Sequence, residues 1–122
     1  MTRLERSEHE GAIVLTLNRP EKRNAINSAL WEELHAALEE VRQQNARCVV
    51  LAGAGKALSA GGDVSEVDGA DEALYQRVYG LTHRAVEALY TLPCPTIAMV
   101  HGAAVGAGLE LALACDFRFA GE

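Results

Sequence analysis

The chain has 122 residues, 49% of them apolar and 23% charged, with a formal charge of −6. That is the composition of one folded domain with a single core, which excludes a disordered or fibrous chain. Lys and Arg are scattered and form no basic stripe, so nothing is built to track a nucleic-acid backbone.

In chain order, residues 4–8 and 12–18 read as two short strands joined at Gly11. The second is built from the branched and Leu-rich run Ile13, Val14, Leu15, Thr16, Leu17, and a hairpin is expected. Residues 18–27 (NRPEKRNAIN) hold a proline, asparagines and basic residues, and form a loop able to face ligand or solvent. From residue 28 to about 44, Leu30, Leu34, Leu38 and Val41 recur at helical spacing, with Asn27 or Ser28 as N-cap and Glu32 and Glu33 in the first turn.

Residues 47–53 (RCVVLAG) are a continuous apolar run, as in a strand covered on both faces. A glycine-rich loop follows over 54–69. A second helix fits 71–90, with Leu74, Val78, Leu81, Ala85 and Leu89 on one stripe and Pro93 and Pro95 preventing its continuation. Residues 96–100 form a second buried strand. After His101 and Gly102 the run AAVGAG leads into a helix over 109–115, and 117–120 closes as a strand. This alternation predicts an α/β fold made of crossover units.

Both glycine-rich stretches come directly after a buried strand, where backbone amides can converge on a ligand. A Walker phosphate loop is excluded, because Ala57 follows Gly55-Lys56 and Val50 stands where the loop's first glycine belongs. A dinucleotide fingerprint fails at Leu111, which occupies the third glycine position after Gly106 and Gly108. The plainest alternative is that these glycines only let a helix pack closely on a sheet.

Segments in fixed order favour a ligand site. NRPEKRNAIN (18–27), GAGKALSAGGDV (53–64) and PTIAMVHGAAVGAGLELALACDFRFAGE (95–122), with helices between them, resemble the N-terminal pattern of the crotonase (enoyl-CoA hydratase/isomerase) superfamily over essentially the whole chain. The resemblance implies the N-terminal portion, residues 1–122, of a crotonase-like spiral of repeated β-β-α units. It further implies an enoyl-CoA hydratase that adds water to a trans-2-enoyl-CoA. Isomerisation, or a non-catalytic fragment that binds acyl-CoA or protein, is the alternative.

In similar enzymes two backbone N–H groups hold the thioester oxygen; the matching positions are Ala60 and Ala107, flanked by Gly61, Gly62 and Gly106. Ala107 is expected at a helix start, where amides are unpaired and the dipole favours negative charge. Such a donor is typically worth about 3 to 4 kcal/mol in the transition state. Glycines there let backbone approach a ligand without a Cβ clash. Glu110 matches the glutamate that activates water, and its neighbours Leu109, Leu111, Ala112, Leu113 and Ala114 predict a buried environment suited to general acid–base work. A first-turn carboxylate that merely favours the helix dipole is the simpler reading.

Asp63 reads either as a substrate contact or as the cap of a short turn at 64–67. Lys22, Arg23 and Ala25 match the loop lying along the coenzyme A nucleotide, unless the two cations are merely solvated. Coenzyme A enters as part of the substrate, so no separate cofactor and no metal are implied. Similar proteins assemble as trimers or dimers of trimers. Leu58 stands for a common aromatic and Ala107 for a common glycine, which a backbone donor tolerates at negative φ. A second acid/base glutamate would lie beyond the position matched by Glu122.

Asp116 reads as a fold residue, and His101 as structural, since no Ser or Cys has a nucleophile motif. His9, His35 and His83 fall on expected exposed edges or helix faces and carry no argument. Cys48, Cys94 and Cys115 are far apart and make no CxxC pair, the usage of buried thiols in a reducing compartment. With no basic-then-apolar leader and no apolar run near the ~20 residues of a membrane span, a cytoplasmic protein without membrane contact is expected.

Overall fold

A computed structural model describes residues 3–121; Glu122 lies outside the described residues. β1 (Leu4–His9) and β2 (Ala12–Leu17) pair antiparallel with His9 opposite Ala12. The two-residue connection holds Glu10 and Gly11 at φ of 52° and 89°, the left-handed backbone that tight hairpins require. Ile13, Leu15 and Leu17 alternate into the core, as a strand with one covered face demands.

α1 (Ser28–Arg42) follows, then β3 (Cys48–Gly53), the short α2 (Val64–Val67), α3 (Glu72–Tyr90), β4 (Thr96–Val100), α4 (Ala107–Ala114) and β5 (Phe117–Ala120). The sheet runs β1-β2-β3-β4-β5, with β2 to β5 parallel. Leu15, Leu51 and Ala98 lie in one register row and are all buried. Each parallel strand is followed by a short bridged segment and then a helix: β2, Ile26, α1; β3, Ser59 and Gly62, α2 and α3; β4, Ala104, α4. The bridges Ile26 to Gly62 and Ser59 to Ala104 stack these segments, giving the expected β-β-α spiral.

α1 begins at Ser28 because the Asn27 side chain accepts from the Leu30 amide at 2.9 Å. Its buried face is Leu30, Trp31, Leu34, Leu38 and Val41. Trp31 is absent from the expected stripe but widens it beside Leu30. At about 1.5 to 3 kcal/mol per buried side chain, this face contributes of order 10 kcal/mol before ordering costs. α1 stops at Arg42, shorter than expected, and the Arg42 guanidinium donates to the carbonyls of Ala88 and Thr91, capping α3.

α3 is buried only toward its C-terminal end, at Leu81, Ala85, Ala88 and Leu89. Leu74 and Val78, expected on the same stripe, are half-buried, and Tyr75 and Tyr79 are exposed. β4 buries Thr96 and Ala98 but leaves Met99 exposed, so it is covered on one face rather than two. β5 is exposed throughout, and Phe117, Phe119, Leu109 and Leu113 are all uncovered.

Asp116 is the fold residue expected: its carboxylate accepts from the Thr96 amide at 2.9 Å and its own amide donates to the Thr96 hydroxyl. His101 Nε2 lies 2.8 Å from the Gly55 carbonyl oxygen, a structural contact between loops. Cys115 is buried and desolvation pushes its thiol up to about 11. Cys94 is half-buried and also raised, chiefly by desolvation, while Cys48 is half-buried too.

Candidate active site

Three irregular segments meet where β2, β3 and β4 end: residues 18–27, 54–63 and 101–106. In a parallel sheet this is the edge where ligands bind. The middle segment is laced to both neighbours. On one side the Leu58 and Ser59 amides donate to the His101 and Ala103 carbonyls at 2.8 and 3.1 Å. On the other side Ala60 N–H donates to the Arg23 carbonyl at 2.8 Å and Asp63 N–H to the Ile26 carbonyl at 3.0 Å.

Asn24 is the centre of this lacing. It is fully buried at φ 58°, its Oδ1 accepts from the Arg19 amide at 2.8 Å, and its Nδ2 donates to the carbonyls of Ala54 and Ala57, each at 2.8 Å. Asn tolerates left-handed backbone better than other side-chain-bearing residues and supplies donors and acceptor together. The Ser59 hydroxyl extends the network, donating to the Asn24 carbonyl at 2.8 Å and accepting from Gly61 N–H at 3.1 Å. Neither Asn24 nor Ser59 is singled out by sequence reasoning; an asparagine in a Pro-rich loop signals a turn and nothing about burial.

This lacing corrects the expectation for Ala60. An amide that donates to Arg23 at 2.8 Å is not free for a substrate oxygen. Gly61 is likewise engaged, its N–H by Ser59 and its carbonyl by Ile26. Gly62 is the exposed residue between them, and its N–H has no acceptor among the described residues. Ala107 is the first residue of α4, and its N–H also has no acceptor among the described residues. Its φ is not positive, so a side chain is tolerated where a glycine is common.

The segments carrying these two amides touch. A methyl built on Gly61, at φ 102°, would lie 3.0 Å from the Val105 carbonyl oxygen and 3.7 Å from the Ala107 nitrogen. On Gly108 it would lie 2.6 Å from the Ser59 carbonyl oxygen. These glycines therefore serve loop-to-loop packing, not clearance for a ligand. Gly106 turns the chain into α4 at φ 54° and its carbonyl accepts from Glu110 N–H. Gly62 differs: nothing lies within 4 Å of where its Cβ would be.

Glu110 sits one turn into α4 from Ala107. The expected burial is not found, because α4 is uncovered on that side: Glu110, Leu109 and Leu113 are exposed. Glu110 instead lines a cleft of about 180 Å³ with Tyr79, Thr82, His83 and Val86 of α3.

Asp63 caps α2, accepting from Ser65 N–H at 3.1 Å and the Ser65 hydroxyl at 2.6 Å, and pairs with Arg19 at 3.2 Å. The Ser65 hydroxyl first, then Arg19, hold its carboxyl below the usual range against an opposing desolvation. Both its oxygens thus have partners inside the protein, and Asp63 is the cap of the short turn. Lys22 and Arg23 are exposed on the 3-10 turn Pro20–Lys22 and just after it, with no ion pair among the described residues. Ala25 donates its amide to the Lys22 carbonyl at 3.0 Å, and its carbonyl takes the Arg19 guanidinium at 2.5 Å. Among the described residues no group of three or more His, Cys, Asp and Glu could hold a metal ion. No helix among them is long and apolar enough to cross a membrane.

The sequence pattern of a family described as enoyl-CoA hydratase/isomerase matches residues 7–122. A probable enoyl-CoA hydratase of Rhodobacter capsulatus is 44% identical over 115 residues, 93% of this chain and 44% of the relative. A mouse mitochondrial Delta(3,5)-Delta(2,4)-dienoyl-CoA isomerase is 35% identical over 128 residues, 93% of this chain and 38% of the relative. The chain thus spans under half the length of these curated relatives. The crystal structure of an enoyl-CoA hydratase from Mycobacterium smegmatis superposes with a TM-score of 0.95 at 35% identity, over 98% of this chain and 48% of that one. With the laced strand ends, the β-β-α spiral and a match along almost its whole length, the chain belongs to the enoyl-CoA hydratase/isomerase family and has the crotonase fold.

Proposed function

We propose that this chain carries the thioester-carbonyl site of an enoyl-CoA hydratase, with the amides of Gly62 and Ala107 as the two donors. The observation that supports it most is the pair of unpartnered N–H groups on abutting segments, with Glu110 one turn further along the same helix as Ala107. Addition of water to a trans-2-enoyl thioester joins the water oxygen to the β-carbon and moves negative charge onto the thioester oxygen. Two preorganised amides stabilise that charge as it develops, and Ala107 adds the positive end of α4. Glu110 takes the proton from water as its oxygen bonds to the β-carbon. The α-carbon then needs a proton from a second acid, and Glu110 alone serves both steps poorly. Lys22 and Arg23, exposed and unpaired among the described residues, suit the phosphates of coenzyme A.

Isomerisation is the second reading, favoured by the similarity to the dienoyl-CoA isomerase. The test is crotonyl-CoA hydration followed by loss of enoyl-thioester absorbance, alongside double-bond migration in a 3-enoyl-CoA. Hydration should appear, and Glu110→Gln should lower its turnover by about 10²- to 10⁴-fold. A Glu110→Gln protein that hydrates at the parent rate removes Glu110 from the chemistry. Migration without hydration replaces the first reading by the second. A protein that binds acyl-CoA yet does neither is a non-catalytic binder.

A further inference from the structure

His83 carries no argument in the sequence, yet the fold places it on the wall of the cleft shared with Glu110. We propose that this cleft selects short acyl groups bearing a neutral hydroxyl on an outer carbon over plain alkyl chains of equal length. The inference rests on the acyl-CoA reading above and names the substrate class within it.

Size suits a short acyl group first. At about 180 Å³ the cleft is smaller than the roughly 300 to 1,000 Å³ of sites that take drug-sized ligands. Chemistry then limits the acyl group. Of the lining side chains only Val86 is wholly apolar; Tyr79, Thr82 and His83 bring a phenol, a hydroxyl and an imidazole. The Thr82 hydroxyl donates to the Val78 carbonyl at 3.0 Å, so it presents acceptor lone pairs to anything beside it. His83 Nε2 lies 3.5 Å from a Glu87 carboxylate oxygen. An alkyl chain would strip water from these groups and return no hydrogen bond, whereas a hydroxyl both donates and accepts. Charge excludes the remaining class. Glu110 lines the cleft and Glu87 stands beside His83, so an acyl carboxylate would meet like charge.

Isothermal titration of the protein with butyryl-CoA, 4-hydroxybutyryl-CoA and succinyl-CoA tests this. The hydroxylated thioester should bind about three- to tenfold more tightly than butyryl-CoA, with succinyl-CoA weakest. His83→Leu combined with Tyr79→Phe should bring the hydroxy-to-alkyl ratio close to one. Both positions are exposed on α3, and circular dichroism checks that the helix is kept. Butyryl-CoA binding as tightly as 4-hydroxybutyryl-CoA, or a ratio unmoved in the double variant, overturns the selectivity while leaving acyl-CoA binding in place. No binding of any thioester overturns the acyl-CoA reading, and the selectivity with it.

Discussion

The segments after β3 and β4 look alike as strings of small residues, yet each exposes its amide by different means. After β4, Gly106 turns the chain into α4, and Ala107 is unpaired because the first amides of any helix lack a partner one turn back. After β3 no helix starts at the free amide. Gly62 lies in the middle member of a three-segment ladder, bracketed by Ala60 bonded to Arg23 and Asp63 bonded to Ile26. One amide is free by local geometry, the other by the register of a neighbouring segment. The first kind can be read from a motif; the second cannot.

The comparison is broken most directly by removing single N–H groups. On the proposed hydratase reading, an amide-to-ester replacement at Gly62 should cost about 10²- to 10³-fold in crotonyl-CoA turnover with little change in stability. The same replacement at Ala60 should lower the urea midpoint, because it removes the bond to Arg23. The reverse pattern would return the donor role to Ala60.

The lacing itself is tested at Asn24. Asn24→Ala leaves the Ala54 and Ala57 carbonyls and the Arg19 amide without their partner in a buried place, and puts alanine at φ 58°. We expect a loss of about 3 kcal/mol in urea unfolding, together with weakened turnover as the Gly62 segment loses its support.

The packing of the two segments is sharpened by a pair of alanine substitutions. Gly108→Ala drives a methyl against the Ser59 carbonyl and should cost about 2 kcal/mol, even though alanine favours helices. Gly62→Ala points into open space and should stay within about 0.5 kcal/mol of the parent. Equal losses in thermal unfolding would contradict the different roles assigned to these glycines.

A smaller loss is expected at Asp63. Its carboxyl is held below the usual range, so the ionised form stabilises the fold. That contribution is present above the unfolded value, about 3.9, and is lost as pH falls through the lower folded value. Asp63→Ala should therefore cost about 1 kcal/mol at pH 7, and the difference should shrink as unfolding is measured toward pH 3. A difference that grows on acidification would contradict the role of the Ser65 and Arg19 contacts.

Much of the fold is legible in the residues alone. The hairpin, the parallel strands and the long helices follow from apolar periodicity, and Asn27, Pro93 and Pro95 mark where helices start and stop. The short turn capped by Asp63 is legible for the same reason, since a cap acts within a few residues. α3 is where periodicity misleads: Leu74 and Val78 lie on the stripe, but that end of the helix is only partly covered among the described residues and both stay half-buried. Glu110 shows the same limit. Its apolar neighbours predict burial, and the uncovered side of α4 leaves it open.

By itself, then, the sequence determined the order of elements, the family and one unpaired helix-start amide, that of Ala107, because helix starts and strand periods are local properties of the chain. Only the tertiary structure decided that Asn24 is a buried pin, that the second free amide belongs to Gly62, and that His83 shares a cleft with Glu110. Each of these depends on which partner a backbone group or side chain meets across 30 or more residues for Asn24 and its carbonyls. Such pairings are set by packing, which no local pattern encodes.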